Sequence, residues 1–143
     1  MRSEVKGPWF VSMRAWLDAN SSRGEIERML GRISVEHRAA LRDPLPSAWY
    51  AEEALASALH AVDAELTRGN TGAFVDLMDA CTEIGVSRFF RVLLRLSTPR
   101  FVLRQVPTMW RQIRRGAGTV DVVDVGADVE VRYQGFAYFS DPL

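Results

Sequence analysis

Apolar residues recur every three or four positions through most of this chain and every second position near its end. The pattern predicts a run of helices followed by a pair of strands. Pro8 suits a first helical position, where its missing amide hydrogen costs nothing, and Trp9, Met13, Trp16 and Leu17 share one face over 9–19. Ser22 with Glu25 spells a capping box, after which Ile26, Met29 and Leu30 follow at helical spacing, with Gly31 as a stop. Ser34 opens a short helix over 35–41, and Asp43-Pro44-Leu45-Pro46 is a rigid connector that cannot be helical throughout. Ser47 is expected to cap a long helix with Glu52 and Glu53 near its positive end; Trp49, Leu55, Leu59, Val62 and Leu66 line it as far as Gly69. Asn70 caps the next helix, which carries Phe74, Val75, Leu77, Met78 and Ile84 and breaks or bends at Gly85. The helical pattern continues over 87–96, and Thr98-Pro99 signals a restart. Pro107 inside that run predicts a kink or two helices in series, and Gly116 and Gly118 end the helical part.

The period then changes from 3.6 to 2. Segments 119–125 and 128–133 alternate or nearly alternate apolar with polar side chains, and Gly126-Ala127 between them predicts a short hairpin turn. A two-stranded hairpin is marginal alone. The sheet is therefore expected to be completed by another chain, by the N-terminus, or by residues beyond this sequence. The fold class is α+β, with about six or seven helices packed on a C-terminal antiparallel hairpin or small sheet.

Composition narrows this picture. A chain of 143 residues, 48% hydrophobic and 25% charged, fits one domain with a real core. No apolar run is long enough to span a bilayer, and Met1–Gly7 lack a signal-peptide core, so no transmembrane segment and a cytoplasmic address are expected. One cysteine, Cys81, excludes an internal disulfide and a cysteine-based zinc site.

Net charge is zero but unevenly spread: from Gly85 to Val120 there is no acid, and Arg88, Arg91, Arg95, Arg100, Arg104, Arg111, Arg114 and Arg115 all fall there. Such a cationic face needs an anion, an acidic neighbour or water. One reading is a solvated face paired with Asp63, Glu65, Asp76, Asp79 and Glu83; another is an anion or membrane-headgroup site. Nucleic acid is not expected as a partner, because total charge is zero and no recognition helix or aromatic–basic strand is evident.

Catalytic patterns are missing: the sequence holds no G-x-S-x-G elbow, phosphate-binding loop, dinucleotide glycine fingerprint or H-E-x-x-H pair. His37 and His60 lie on separate helices without flanking ligands, and His60 reads as a buried or half-exposed structural histidine. Cys81 reads as inert packing, since reactive thiols need a cationic or helix-N-terminal setting. Consecutive Glu52 and Glu53 point about 100° apart on a helix and do not form a carboxylate pair. Asp121 and Asp124 read as solvent-facing hairpin residues. No enzyme, catalytic residue, metal site or cofactor is expected.

Leu45-Pro46-Ser47-Ala48-Trp49-Tyr50, the run from Arg88 to Leu103, Val106-Pro107-Thr108-Met109-Trp110, and the Val-rich hairpin ending in Gly135-Phe136 together carry a resemblance. The chain resembles a family of bacterial proteins, expanded in myxobacteria, related to four-vinyl-reductase-type domains, haem–nitric-oxide-binding domains and vesicle-tethering transport-particle subunits. The match spans 7–136, through packing and turn motifs. The resemblance implies a helical layer against a twisted antiparallel sheet, often dimeric, with a ligand-holding cavity in several relatives. Relatives continue past the hairpin with a further helix and strands that this sequence is expected to lack. Neither histidine sits before a Tyr-x-Ser-x-Arg motif, so haem is not expected. The function expected is a non-enzymatic sensor or interaction module, a homodimer holding a small hydrophobic or amphipathic molecule; the alternatives are a ligand-free structural scaffold and, last, an enzyme with an unrecognised site. Its expected ligand-binding residues are Trp49, Tyr50, Phe90, Arg91, Arg100, Arg104, Met109 and Trp110.

Overall fold

Pro8 begins the first helix, and local capping fixes the starts of three later ones. Ser22 accepts a hydrogen bond from Glu25 N while the Glu25 carboxylate accepts from Ser22 N at 2.7 Å, so the predicted capping box is present in full. Asn70 Oδ1 accepts from Ala73 N at 3.0 Å, and Thr98 Oγ1 accepts from Phe101 N at 3.3 Å. In this computed structural model residues 2–85, 95–116 and 118–135 are described. Among them the chain is α+β: β1 (Glu4–Lys6), α1 (Pro8–Asn20), α2 (Arg23–Arg32), α3 (Val35–Arg42), β2 (Trp49–Ala51), α4 (Glu52–Val62), α5 (Thr71–Gly85), α6 (Pro99–Ile113), β3 (Arg114–Arg115), β4 (Thr119–Val125) and β5 (Asp128–Gln134). No helix among the described residues is long and apolar enough to cross a membrane.

The chain divides into two compact units, Val5–Ser87, and Met1–Glu4 together with Arg88–Leu143. In the first, α1 lies against α5 and α3, and α4 lies against α2 and α3. Their facing stripes meet in one cluster around Phe10, Met13, Leu17, Met29, Leu30, Ile33, Leu41 and Val62, all buried. Phe10, at 0% exposure, was not on the predicted face; its ring meets Tyr50 edge-on at 4.9 Å. Where α1 passes α5, a Cβ on Gly85 would stand 2.6 Å from Ser12 Oγ, so a side chain there would force the helices apart. After α4 a wide turn over Asp63–Thr67 ends at Arg68, whose φ of 52° and following Gly69 reverse the chain.

Three local expectations change. Residues 49–51 do not open the long helix and Ser47 does not cap it: they are extended, and α4 begins at Glu52. The reason is tertiary. Strand β2 pairs with β1, and Gly7 N donates to Ala48 O at 2.9 Å, so the backbone groups ahead of α4 are satisfied by a strand instead of a helical turn. Gly7 permits this approach, because a Cβ there would lie 1.9 Å from Leu45 O. Gly31 does not stop α2, which runs on to Arg32. Of the two outcomes expected at Pro107, two helices in series do not form: α6 runs through it without the one hydrogen bond its nitrogen cannot make.

In the second unit β4 and β5 form the predicted hairpin, in a register that pairs Val120 with Tyr133, Val122 with Val131 and Asp124 with Val129. Gly126, at φ 61°, holds the first turn position as a II′ turn requires. Helix α6 packs on this hairpin. Its N-terminal turns meet Asp124 near the hairpin turn and Trp110 meets Tyr133 near the open end, so α6 runs antiparallel to β4. Beyond α6, β3 lies beside the N-terminal residues: Arg115 pairs with Glu4 at 2.5 Å, and Gly116 at φ 71° passes close to Arg2 O.

Candidate functional site

Arg100 and Arg104 lie one turn apart at the start of α6 and converge on one carboxylate. Arg100 donates to Asp124 Oδ1 at 2.8 Å, and Arg104 donates to both oxygens at 3.0 and 2.9 Å. The hydrogen bond from Arg100, followed by that from Arg104, holds the Asp124 carboxyl below the usual carboxylate range. All three side chains are about half exposed, so the clasp orients helix and hairpin more than it stabilises them. Glu65 takes Arg32 and then Arg28, whose hydrogen bonds lower its pKa.

Asp124 is exposed, as expected of a hairpin residue, and it also takes both arginines; its side of the strand is set by parity. It has the same parity as Val120 and Val122 and must share their face of the strand. The face of β4 that carries Asp124 was legible in that alternation.

Further along α6, Trp110 and Tyr133 meet edge-to-face, 5.4 Å between centroids and 69° between planes, and the Arg114 guanidinium lies over the Trp110 ring at 4.9 Å. Met109 is half-buried on the same helix, but at 100° per residue it stands about 140° round from Arg104. The helix therefore does not gather its four candidates at one point. Arg100 and Arg104 face an acid, Trp110 faces a tyrosine, and Met109 lies on the other flank.

Trp49 and Tyr50 belong to the other unit, on β2. Lys6 Nζ sits 5.6 Å from the Trp49 ring centroid, and the Tyr50 hydroxyl accepts from Leu45 N at 2.9 Å. Phe90 and Arg91 lie outside the described residues.

Other candidate groups resolve simply. His60 is exposed, not buried or half-exposed, and His37 is 3.9 Å from the adjacent Glu36. Burial pushes the Cys81 thiol up to about 11, which keeps it protonated and unreactive at neutral pH. Among the described residues no three of His, Cys, Asp and Glu gather as a metal site would need.

The unit 5–87 also carries an open depression of about 530 Å³ that no sequence motif announced. Ile26 and Leu30 floor it, and Arg14, Arg23 and Arg42 alternate around it with Asp18, Glu27 and Asp43. Arg14 grips Asp18 through 3.0 and 3.1 Å hydrogen bonds and donates to Arg42 O at 3.2 Å, while Arg42 lies 3.7 Å from Glu27. Its charges balance, so it offers no net field to an ion.

Compared with family models, with characterised proteins and with solved structures, the chain matches none.

Proposed function

We propose that this protein is a non-catalytic interaction module that self-associates, with the helix–hairpin unit as its working surface. One observation carries the reading. Helix α6 has an amphipathic pattern yet no buried residue, and β4–β5 contribute only Val120, at 8% exposure, to the buried set. Phe101, Val125 and Tyr133 on the same unit are exposed large apolar residues. Exposed apolar residues beside a helix and hairpin that bury so little are what a subunit contact consumes.

The chemistry of the side chains points the same way. Arg100 and Arg104 already hold Asp124, and at the depression in the other unit Arg14 pairs with Asp18 and Arg42 with Glu27. Charged walls suit a polar contact better than the small hydrophobic molecule expected from the sequence.

Light scattering on the eluting protein at micromolar concentration tests the proposal. A dimer or larger species is expected, and a strict monomer would overturn it.

A further inference from the structure

We propose that the depression in residues 5–87 binds a small zwitterion with a branched aliphatic body, an apolar amino acid or a short peptide with free ends. The inference goes beyond self-association and does not depend on it. Three segments wall the site. Arg14, Asp18 and Ser21 recur at the spacings of four and three that place them on one face of α1, and Arg23, Ile26, Glu27 and Leu30 do the same on α2. The exit of α3 adds Arg42 and Asp43. A volume of about 530 Å³ lies within the range of small-molecule sites, about 300–1,000 Å³, and exceeds what a lone ion needs.

The walls are fastened to one another without a ligand. Arg14 donates to both Asp18 oxygens at 3.0 and 3.1 Å and to Arg42 O at 3.2 Å, which ties α1 to the end of α3. Arg42 in turn lies 3.7 Å from Glu27 on α2. Such ties leave little ordering to be done on binding. They also use two acids and two arginines. The side chains of Arg23 and Asp43 take no ion pair among the described residues, so one cationic and one anionic group remain, on different walls. Between them the floor is Ile26 and Leu30, extended by the methylene stems of the arginines.

That leftover pair selects the ligand. A simple anion meets Asp43 and Glu27 as well as Arg23, and a simple cation meets arginines as well as acids, so neither gains from the whole site. A metal ion needs ligands gathered at one point, and among the described residues no three of His, Cys, Asp and Glu gather. A wholly apolar molecule would strip water from Arg23 and Asp43 and give neither a partner. A zwitterion gives partners to both. Its carboxylate suits the planar fork of the Arg23 guanidinium, its ammonium suits the Asp43 carboxylate, and its aliphatic body covers the floor.

Titration of the isotope-labelled protein with L-leucine and, separately, with leucyl-leucine tests the site through its amide NMR shifts. At least one of the two is expected to move the resonances of 14–30 and 42–43 to saturation. Leucine alone marks a free amino acid as the ligand, and the dipeptide alone marks a peptide. Acetylating the ammonium of the probe that binds, or converting its carboxylate to the amide, should weaken it about tenfold or more. Arg23→Gln should weaken the free zwitterion by the same factor and leave the amide form unchanged. Asp43→Asn should weaken it likewise and leave the acetylated form unchanged. Both side chains are exposed, so the two variants keep the fold, which unaltered shifts elsewhere verify. If neither probe moves these resonances up to about 10 mM, or free and blocked forms bind alike, the proposal is overturned. Variants that bind as the native protein does would also overturn it, and self-association is untouched by any of these results.

Discussion

The two units of this chain solve the problem of apolar surface in opposite ways. In residues 5–87 each helix turns its stripe into a shared cluster, and side chains such as Phe10, Leu17, Met29 and Val62 are sealed from water. In the unit that holds residues 95–135 a helix of comparable length and clearer amphipathic pattern has no residue sealed, and its hairpin has one. The first is a body whose stability is internal. The second is held by a clasp, an aromatic pair and a turn, and almost none of its apolar area is sealed. The difference teaches that amphipathicity alone does not locate a core; it locates surface that some partner must cover.

Truncating the core sharpens that contrast most. Phe10→Ala removes a wholly buried ring and its edge contact with Tyr50, and is expected to cost about 3–5 kcal/mol of stability. Phe101→Ala, at 48% exposure on α6, should move the unfolding midpoint by no more than about 0.5 kcal/mol. Urea unfolding followed by circular dichroism measures both. Comparable losses at the two positions would mean that α6 is packed as tightly as α1.

A pair of glycines probes where backbone segments approach closely, again one in each unit. Gly7→Ala keeps an ordinary helical φ of −51° but drives a Cβ to 1.9 Å from Leu45 O, where only backbone could yield. Overpacking of this kind is expected to cost about 1–3 kcal/mol and to pull β2 away from β1. Gly116→Ala meets Arg2 O at 2.4 Å and in addition holds φ at 71°, so about 1–2 kcal/mol of left-handed strain is added to its contact. Its overlap is smaller than that of Gly7, 2.4 Å against 1.9 Å, so the Gly116 change should still be the milder of the two in thermal unfolding. A harmless Gly7→Ala would show that the backbone at Leu45 yields readily to a side chain at position 7.

Much of this was legible from local chemistry. Ser22 with Glu25, Asn70, Thr98 with Pro99, and Gly126-Ala127 each specify a cap or turn within four residues, and all of them form. What escaped was set at long range. Residues 49–51 became a strand because β1, more than 40 positions earlier, supplies their hydrogen bonds. The candidate residues split between units because aromatic and cationic side chains were grouped by type, and type does not report neighbourhood. Asp124 lay in between. Its side of the strand follows from parity, but the choice of Arg100 and Arg104 as partners depends on how α6 crosses the hairpin.

The smallest expected effect concerns that clasp, and it separates orientation from stability. The pKa of Asp124 is depressed in the folded protein, first by Arg100 and then by Arg104, so its contribution is present above the unfolded value near about 3.9 and is lost as pH falls through the lower folded value. Glu65, lowered chiefly by Arg32, titrates in the same direction within the other unit, where the buried cluster persists without it. Acidification should therefore release the hairpin from α6 while leaving the helices of 5–87 formed. Both partners are exposed, so added salt should mimic the effect weakly at neutral pH. The clean comparison is Asp124→Asn, which removes the charge at every pH. Fluorescence of Trp110, isolated by replacing the other three tryptophans with phenylalanine, should change between pH 5 and 2 in the parent and stay flat in the variant. A variant that titrates like its parent would show that the arginines do not depend on Asp124 to place the helix on the sheet, and the hairpin would then be held by its other contacts with α6, Trp110 against Tyr133 among them.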